Sequence, residues 1–292
     1  MAAMSLLAIL LAALLGFAPG LSPLAPKSER EAGGGLTIDL DPGSPGGKAV
    51  NPPVLGPRGR PLVVIDPGHG GRDPGAISPF GQRREKDVTL ALARAVRDEL
   101  LASGRVRVAL TRNDDRYVVH RERYEIARRL GAGLFISVHA DAAPFNDVAR
   151  GASVYTLSEV ASDRQAALLA EQENKSDIIA GVDLGGQDQG VNRILIDLAQ
   201  RESMDASAEF ARLLQREASA FFPFRPNYHR FASLLVLKAP DLPSILFESG
   251  YLTNATDAAY IQSAEGRKQI AIGIRRAVEA HFARRLMRTA QR

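Results

Sequence analysis

The sequence predicts an α/β domain, a single six-stranded, mostly parallel sheet with helices on both faces and one inserted helical segment. Three observations carry that reading. From Pro61 onward, short apolar runs alternate with segments whose apolar residues recur every four positions, the signature of strand–helix alternation. The runs are continuous rather than alternating, as in Leu62-Val63-Val64-Ile65, which fits strands buried on both faces. Several runs end on a polar residue or a Gly-rich turn, and the carboxyl ends of parallel strands are where open α/β sheets build their sites.

Taken in order, the first strand must stop at Pro67, which has no amide to donate. Gly68, Gly70 and Gly71 then let the backbone turn around His69. Glu85-Lys86-Asp87 opens a helix with Val88, Leu92, Val96 and Leu100 on one face, ending near Gly104. Val106 to Leu110 is the second strand, and a helix from about Tyr117 to Leu130 stops at Gly131. Leu134 to Val138 is the third strand and runs into His139-Ala140-Asp141; Gly151 to Leu157 is the fourth. The segment from about 159 to 190 breaks the rhythm, with a helical stretch Ala161 to Ile179 followed by a Gly- and Gln-rich run, and is read as an insertion. An amphipathic helix covers about Asp197 to Phe222, with Phe210, Leu213, Leu214 and Phe221 on one face. Leu234 to Leu237 is expected as the fifth strand. Pro243 to Phe247 is expected as the sixth, and it delivers Glu248. Asn254 is placed to cap the last helix, with Asp257 in its first turn and Ile270, Ile274, Val278 and Phe282 facing the sheet.

The expected organisation is a signal peptide over residues 1–20, a disordered linker over 21–60, one catalytic domain over 61–286 and a short tail over 287–292. The run Leu6 to Phe17 has the length of a signal-peptide core and is too short to span a bilayer comfortably, although no Lys or Arg precedes it. Export is therefore expected, with no stable membrane span after processing. Residues 27–60 are rich in Pro, Gly and charge, without sustained periodicity. The chain has no cysteine, so disulfides and thiolate metal sites are excluded and any metal must be held by His, Asp or Glu. Net charge is only +4, with basic residues interleaved with acidic ones as in Arg121-Glu122-Arg123, so nucleic-acid binding is not expected.

His69, His139 and Glu248 all sit at strand ends, so a parallel sheet would bring them together. Glu85 is near enough in the chain to fold back beside His69. Two imidazoles and one carboxylate make a zinc set with a fourth position open, and a further, non-ligating Glu would then be the general base. Glu85 reads equally well as a solvated carboxylate favoured by the helix dipole. A carboxylate at Glu248, straight after Ile245-Leu246-Phe247, would be costly to bury without a partner charge. The other histidines, His120, His229 and His281, lie in helical or loop surroundings and are read as structural.

Val64-Ile65-Asp66-Pro67-Gly68-His69-Gly70-Gly71 with Asp73-Pro74-Gly75-Ala76, then Glu85-Lys86-Asp87, then Ser137-Val138-His139-Ala140-Asp141, then Phe247-Glu248-Ser249-Gly250-Tyr251-Leu252-Thr253-Asn254, closely resembles the zinc-dependent N-acetylmuramoyl-L-alanine amidases. More narrowly, it resembles the periplasmic cell-separation amidases of bacteria. The resemblance implies one Zn2+ per chain held by His69, Glu85 and His139, with Glu248 as the catalytic carboxylate. It also implies peptidoglycan as substrate, cut between the lactyl group of N-acetylmuramic acid and L-alanine, and a periplasmic enzyme acting in daughter-cell separation; the chain is expected to be a monomer. Asp66 and Asp141 are candidates to orient the imidazoles. The alternatives are another zinc amide hydrolase, a carboxypeptidase or deacetylase on the same scaffold, or a catalytically silent wall-binding module. Some relatives carry an N-terminal β domain that targets the septal wall, and residues 1–60 are expected to be too few to hold it. The run Glu173-Asn174-Lys175-Ser176-Asp177 resembles the regulatory segment of these amidases, in which a helix blocks the site until a LytM-domain activator displaces it. Glu173 is the expected blocking ligand and Glu171 the alternative. Two positions apart on one helix, they cannot both reach the metal.

Overall fold

Strand β1 (Leu62–Pro67) is wholly buried and lies between two parallel partners, β2 (Arg107–Leu110) and β3 (Leu134–Asp141). These belong to a computed structural model that describes residues 51–143, 146, 148–181 and 193–290. Strand β6 (Ser244–Tyr251) runs parallel to β3, β4 (Ala152–Leu157) is antiparallel to β6, and β5 (Phe224–Ala232) is parallel to β4. The sheet order is β2-β1-β3-β6-β4-β5, six strands and mostly parallel, as the sequence predicts.

Side chains of successive strand residues go to opposite faces, and two cores result. Val63, Ile65, Ile136, Val138, Ile245 and Phe247 enter one, beneath helices α1 (Glu85–Ala102), α5 (Arg193–Ala218) and α7 (Ala264–Ala290). Leu62, Val64, Phe135, Tyr155 and Leu246 enter the other, with residues of α2 (His120–Arg129), α3 (Arg164–Asn174) and a 3-10 turn, Leu235–Leu237. The stripes anticipated on α1 (Val88, Leu92, Val96, Leu100) and α7 (Ile270, Ile274, Val278, Phe282) are all buried. Asn254 does cap a helix, accepting from the amides of Thr256 and Asp257, but that helix is the separate α6 (Ala255–Gln262).

Several expectations are corrected. The fifth strand is Phe224–Ala232, and Leu235–Leu237 is a 3-10 turn. Strand β5 lies at the sheet's edge, where polar residues and Pro226 are tolerated, so it lacks an apolar run. Leu234 and Leu237 are apolar because they are buried in the second core, not because they pair in the sheet. The insertion's helix breaks into α3 and a single turn, α4 (Ser176–Ile179); its residues 182–190 lie outside the described residues. Residues 51–60, read as linker, join the fold: Leu55 exchanges two backbone hydrogen bonds of 2.9 Å with Val108. Helix α7 runs to Ala290, past the tail's expected start at 287. The signal peptide and linker residues 21–50 lie outside the described residues.

Candidate metal centre

Because β1, β3 and β6 are adjacent and parallel, their carboxyl ends bring His69, His139 and Glu248 together, with His139 and Glu248 side by side in register. His69 sits just past β1 in a turn where its own φ is +60°, a region that an L-residue occupies at a cost of about 1–3 kcal/mol. The turn also brings backbone close to the rings. A Cβ on Gly68 would lie 2.4 Å from His139, and one on Gly75 (φ +64°) would lie 2.7 Å from both His69 and Glu85.

Glu85, the first residue of α1, places Oε1 3.1 Å from His69 Nε2 and 3.2 Å from His139 Nδ1. The amides of Ala140 and Ala76 donate to its two oxygens at 3.0 and 2.9 Å. Glu173, on α3, reaches the same point: Oε2 is 3.6 Å from His69 Nε2 and 3.2 Å from His139 Nδ1. His69, His139 and Glu173 each offer one ligand atom within 4.8 Å of the others, and all three are buried. Glu171 is exposed and paired with Lys175, so of the two insertion carboxylates only Glu173 is in the site.

The donors fit a divalent cation. His69 Nε2 and Glu173 Oε2 are buried within a few ångströms of each other's partners, yet neither makes a hydrogen bond. They lie 3.6 Å apart, and with a His139 ring nitrogen all three ligand atoms fall within 4.8 Å of one another. Both oxygens of Glu248, 1% exposed, are likewise without a partner. Burial, reinforced by the carboxylates of Asp141, Glu85 and Glu173, holds the Glu248 carboxyl well above the ordinary range. The same crowding, again with burial first, pushes Asp141 up to about 7. Burial alone would lower the His69 imidazole, but Glu85 and Glu173 outweigh it and raise it well above its usual value. Buried Glu85, Glu173 and Glu248, with half-buried Asp141 beside them, crowd carboxyl groups around two imidazoles, and a bound cation would favour their ionised forms.

The residue that orients an imidazole is Asp73, which the sequence reading passed over. Its Oδ2 is 2.7 Å from His69 Nδ1, and its Oδ1 accepts from the Gly75 amide at 3.1 Å. A carboxylate on the far ring nitrogen fixes the tautomer and turns Nε2 towards the centre. Asp66 does not do this. Its carboxylate is taken by Thr111 (2.5 Å), Ser137 (2.7 Å) and Arg123 (2.9 Å). Asp141 accepts from the Ala142 amide at 2.6 Å and bonds Tyr251, so it stands beside Glu248 and not on an imidazole. The available signal for Asp73 was its position four residues beyond His69 in the same Gly-rich turn.

Over its described residues the insertion is anchored at three places. Asp163 caps α3 by accepting from the Ala166 amide and forms an ion pair with Arg230 of β5 at 2.6 Å. Asn174 bonds Ser233 O (2.8 Å) and Leu235 N (2.8 Å), and Asp177 accepts from Tyr117 (2.8 Å) and the His120 amide (3.0 Å). That last contact supplies the N-terminal cap that Val119's own side chain does not give α2.

Fold and site together define a hydrolase domain of the amidase class. A family model described as N-acetylmuramoyl-L-alanine amidase matches residues 63–280, and the chain belongs to that family. It is 35% identical to the amidase AmiC of Escherichia coli O6:H1 over 81% of this chain and 58% of that protein. It is 36% identical to AmiA of Escherichia coli K12 over 77% of both. AmiC of Neisseria meningitidis is also 36% identical, and the match covers 53% of it, so the chain spans little more than half the length of the two AmiC proteins. Among solved structures, the amidase AmiC2 of Nostoc punctiforme aligns with a TM-score of 0.55 at 27% identity, over 77% of this chain and 98% of that one. The catalytic domain of CwlV from Paenibacillus polymyxa, 23% identical with a TM-score of 0.57, shares the fold over 76% of this chain and 98% of that one. Among the described residues, no helix is long and apolar enough to cross a membrane.

Proposed function

We propose that this chain cleaves the amide bond between the lactyl group of N-acetylmuramic acid and L-alanine of the peptidoglycan stem peptide, with His69, Glu85 and His139 holding zinc. The observation that carries the reading is the convergence of buried His69, His139 and Glu173, with His69 Nε2, Glu173 Oε2 and both Glu248 oxygens lacking hydrogen-bond partners. Zinc in such a set supplies Lewis-acid chemistry, activating water at neutral pH and polarising a carbonyl. Glu248 moves the protons. Its free oxygens take one from the attacking water and return it to the departing L-alanine nitrogen. Asp73 holds the His69 ring throughout.

Glu173 is the resting-state block. Its carboxylate lies between the two imidazoles, where a substrate oxygen would have to approach. Opening requires α3 to leave, and a LytM-domain activator that binds only the open form would shift the population without itself doing chemistry. The enzyme acts in the periplasm in daughter-cell separation, after removal of a signal peptide ending near residue 20; N-terminal analysis of the mature protein checks the export step.

Elemental analysis of the purified chain tests the metal assignment. About one zinc per chain is expected, with loss of zinc and hydrolysis together in His69→Ala and in His139→Ala. Full zinc occupancy in both variants would sink the assignment.

A further inference from the structure

Within the turn that carries His69, Gly70 and Asp73 exchange two backbone hydrogen bonds of 3.0 and 3.1 Å, and the Gly68 amide donates to Val138 O at 3.0 Å. Strand pairing ends at Pro67, and His69 adopts a left-handed φ of +60°. The carbonyls of Pro67, Gly68, His69 and Gly71 instead accept from buried cations. Pro67 O accepts from Arg112 Nε at 3.0 Å and Arg123 Nη1 at 2.8 Å. Gly68 O accepts from Arg112 Nη2 at 2.7 Å, and His69 O from Arg123 Nη2 at 2.9 Å. Gly71 O accepts from Lys86 Nζ at 2.8 Å.

Arg112 is wholly buried and Arg123 is 2% exposed. Two guanidinium groups near each other in an interior are unfavourable; burial and the Arg123 charge push Arg112 down to about 10. Asp66 answers part of that charge, 2.9 Å from Arg123, and is itself steadied by Thr111 and Ser137. Arginine is almost never fully buried unless its charge is paired and its donors are taken. The planar fork is suited to this place, since one Arg123 group spans Asp66, Pro67 O and His69 O at once, which an ammonium cannot do.

We propose that Arg123, backed by Asp66 and flanked by Arg112, is a positioning residue for the metal centre: it grips the main-chain carbonyls of Pro67 and His69 from behind and so sets the direction in which His69 presents its ring. Asp66 therefore acts on His69 through the backbone, two bonds removed from the imidazole, while Asp73 acts on the ring directly. The inference rests on His69 being a zinc ligand.

The test is zinc affinity of the full chain, by competition with a chromophoric chelator, together with the visible d–d spectrum of the Co2+-substituted protein. Urea unfolding of the metal-free protein runs alongside. Arg123→Met is expected to weaken zinc binding about 10–100-fold, the range typical for groups supporting a metal ligand, and to alter the Co2+ spectrum. Arg123→Lys should not restore either. Asp66→Asn, which keeps the shape, should weaken zinc binding in the same direction, and it decides the matter if Arg123→Met does not fold. Lowered urea stability with zinc affinity within about twofold of wild type and an unchanged Co2+ spectrum would overturn the proposal, leaving a purely structural role. If the wild-type chain itself failed to bind zinc, the metal assignment would fall instead, so the two failures are distinguishable.

Discussion

Glu248 shows how far one residue can be read without a structure. Its place after Ile245-Leu246-Phe247 predicted a carboxylate in an apolar strand, and it is 1% exposed with both oxygens unpartnered. The positions of His69 and His139 were legible for a related reason, since strand ends fix where a side chain can go before any contact is known; Glu85 stayed open, because a helix start suits a solvated carboxylate equally well. The orienting residues were not legible. Asp66 and Asp141 are sequence neighbours of His69 and His139, but their carboxylates are engaged by other partners. Asp66 instead meets Thr111, Ser137 and Arg123, and the imidazole partner is Asp73, brought back by a turn whose path depends on left-handed residues. Glu248→Gln should keep zinc and the fold while losing about 10²–10⁴-fold in turnover. Single-turnover assays of the zinc-loaded variant measure this, and a wild-type rate would remove Glu248 from its role.

Among the elements, α3 matters most because it is held at three places and carries Glu173 into the centre. Its anchors are Asp163 to Arg230, Asn174 to the 233–235 backbone, and Asp177, in the turn that follows, to Tyr117 and the start of α2. The insertion was visible in the sequence as a break in strand–helix rhythm, and the choice of Glu173 over Glu171 agrees with the burial of one and exposure of the other. Strand β5 was not visible, because an edge strand can be polar. If α3 blocks the site, the open form is a minor population, of order 0.1–10%. Glu173→Ala, or deletion of about residues 161–190, should then raise the activator-free rate by about 10- to 1000-fold with zinc retained. Unchanged basal rates in both variants, each shown to be folded, would rule out α3 as the gate.

For the whole molecule, the two-faced sheet imposes a cost far from the site. His281, on α7, packs against Phe210 and Phe282 with Nε2 buried and unpartnered. Burial, then the nearby Arg285 charge, lowers its pKa to about 4. Above about pH 6.5 the imidazole is neutral in both folded and unfolded chains and contributes no pH dependence. As pH falls from there to about 4, only the unfolded chain takes up the proton, so stability drops, by roughly 3 kcal/mol at the lower end. Below that the folded form protonates too and the loss stops growing. His281→Leu should therefore flatten the fall in urea midpoint between pH 7 and pH 4.5 relative to wild type. An identical fall in both proteins would contradict this account of the helix packing.

The reaction itself is the claim on which the account turns, and intact wall material tests it most directly. Purified sacculi should be digested with the Glu173→Ala protein, with and without a chelator, and the released products analysed by mass. The account predicts stem peptides with a free L-alanine amino terminus, glycan strands left with their lactyl carboxylates, and no release when chelator is present. Release of D-alanine or of acetate, or peptide release that survives the chelator, would contradict it.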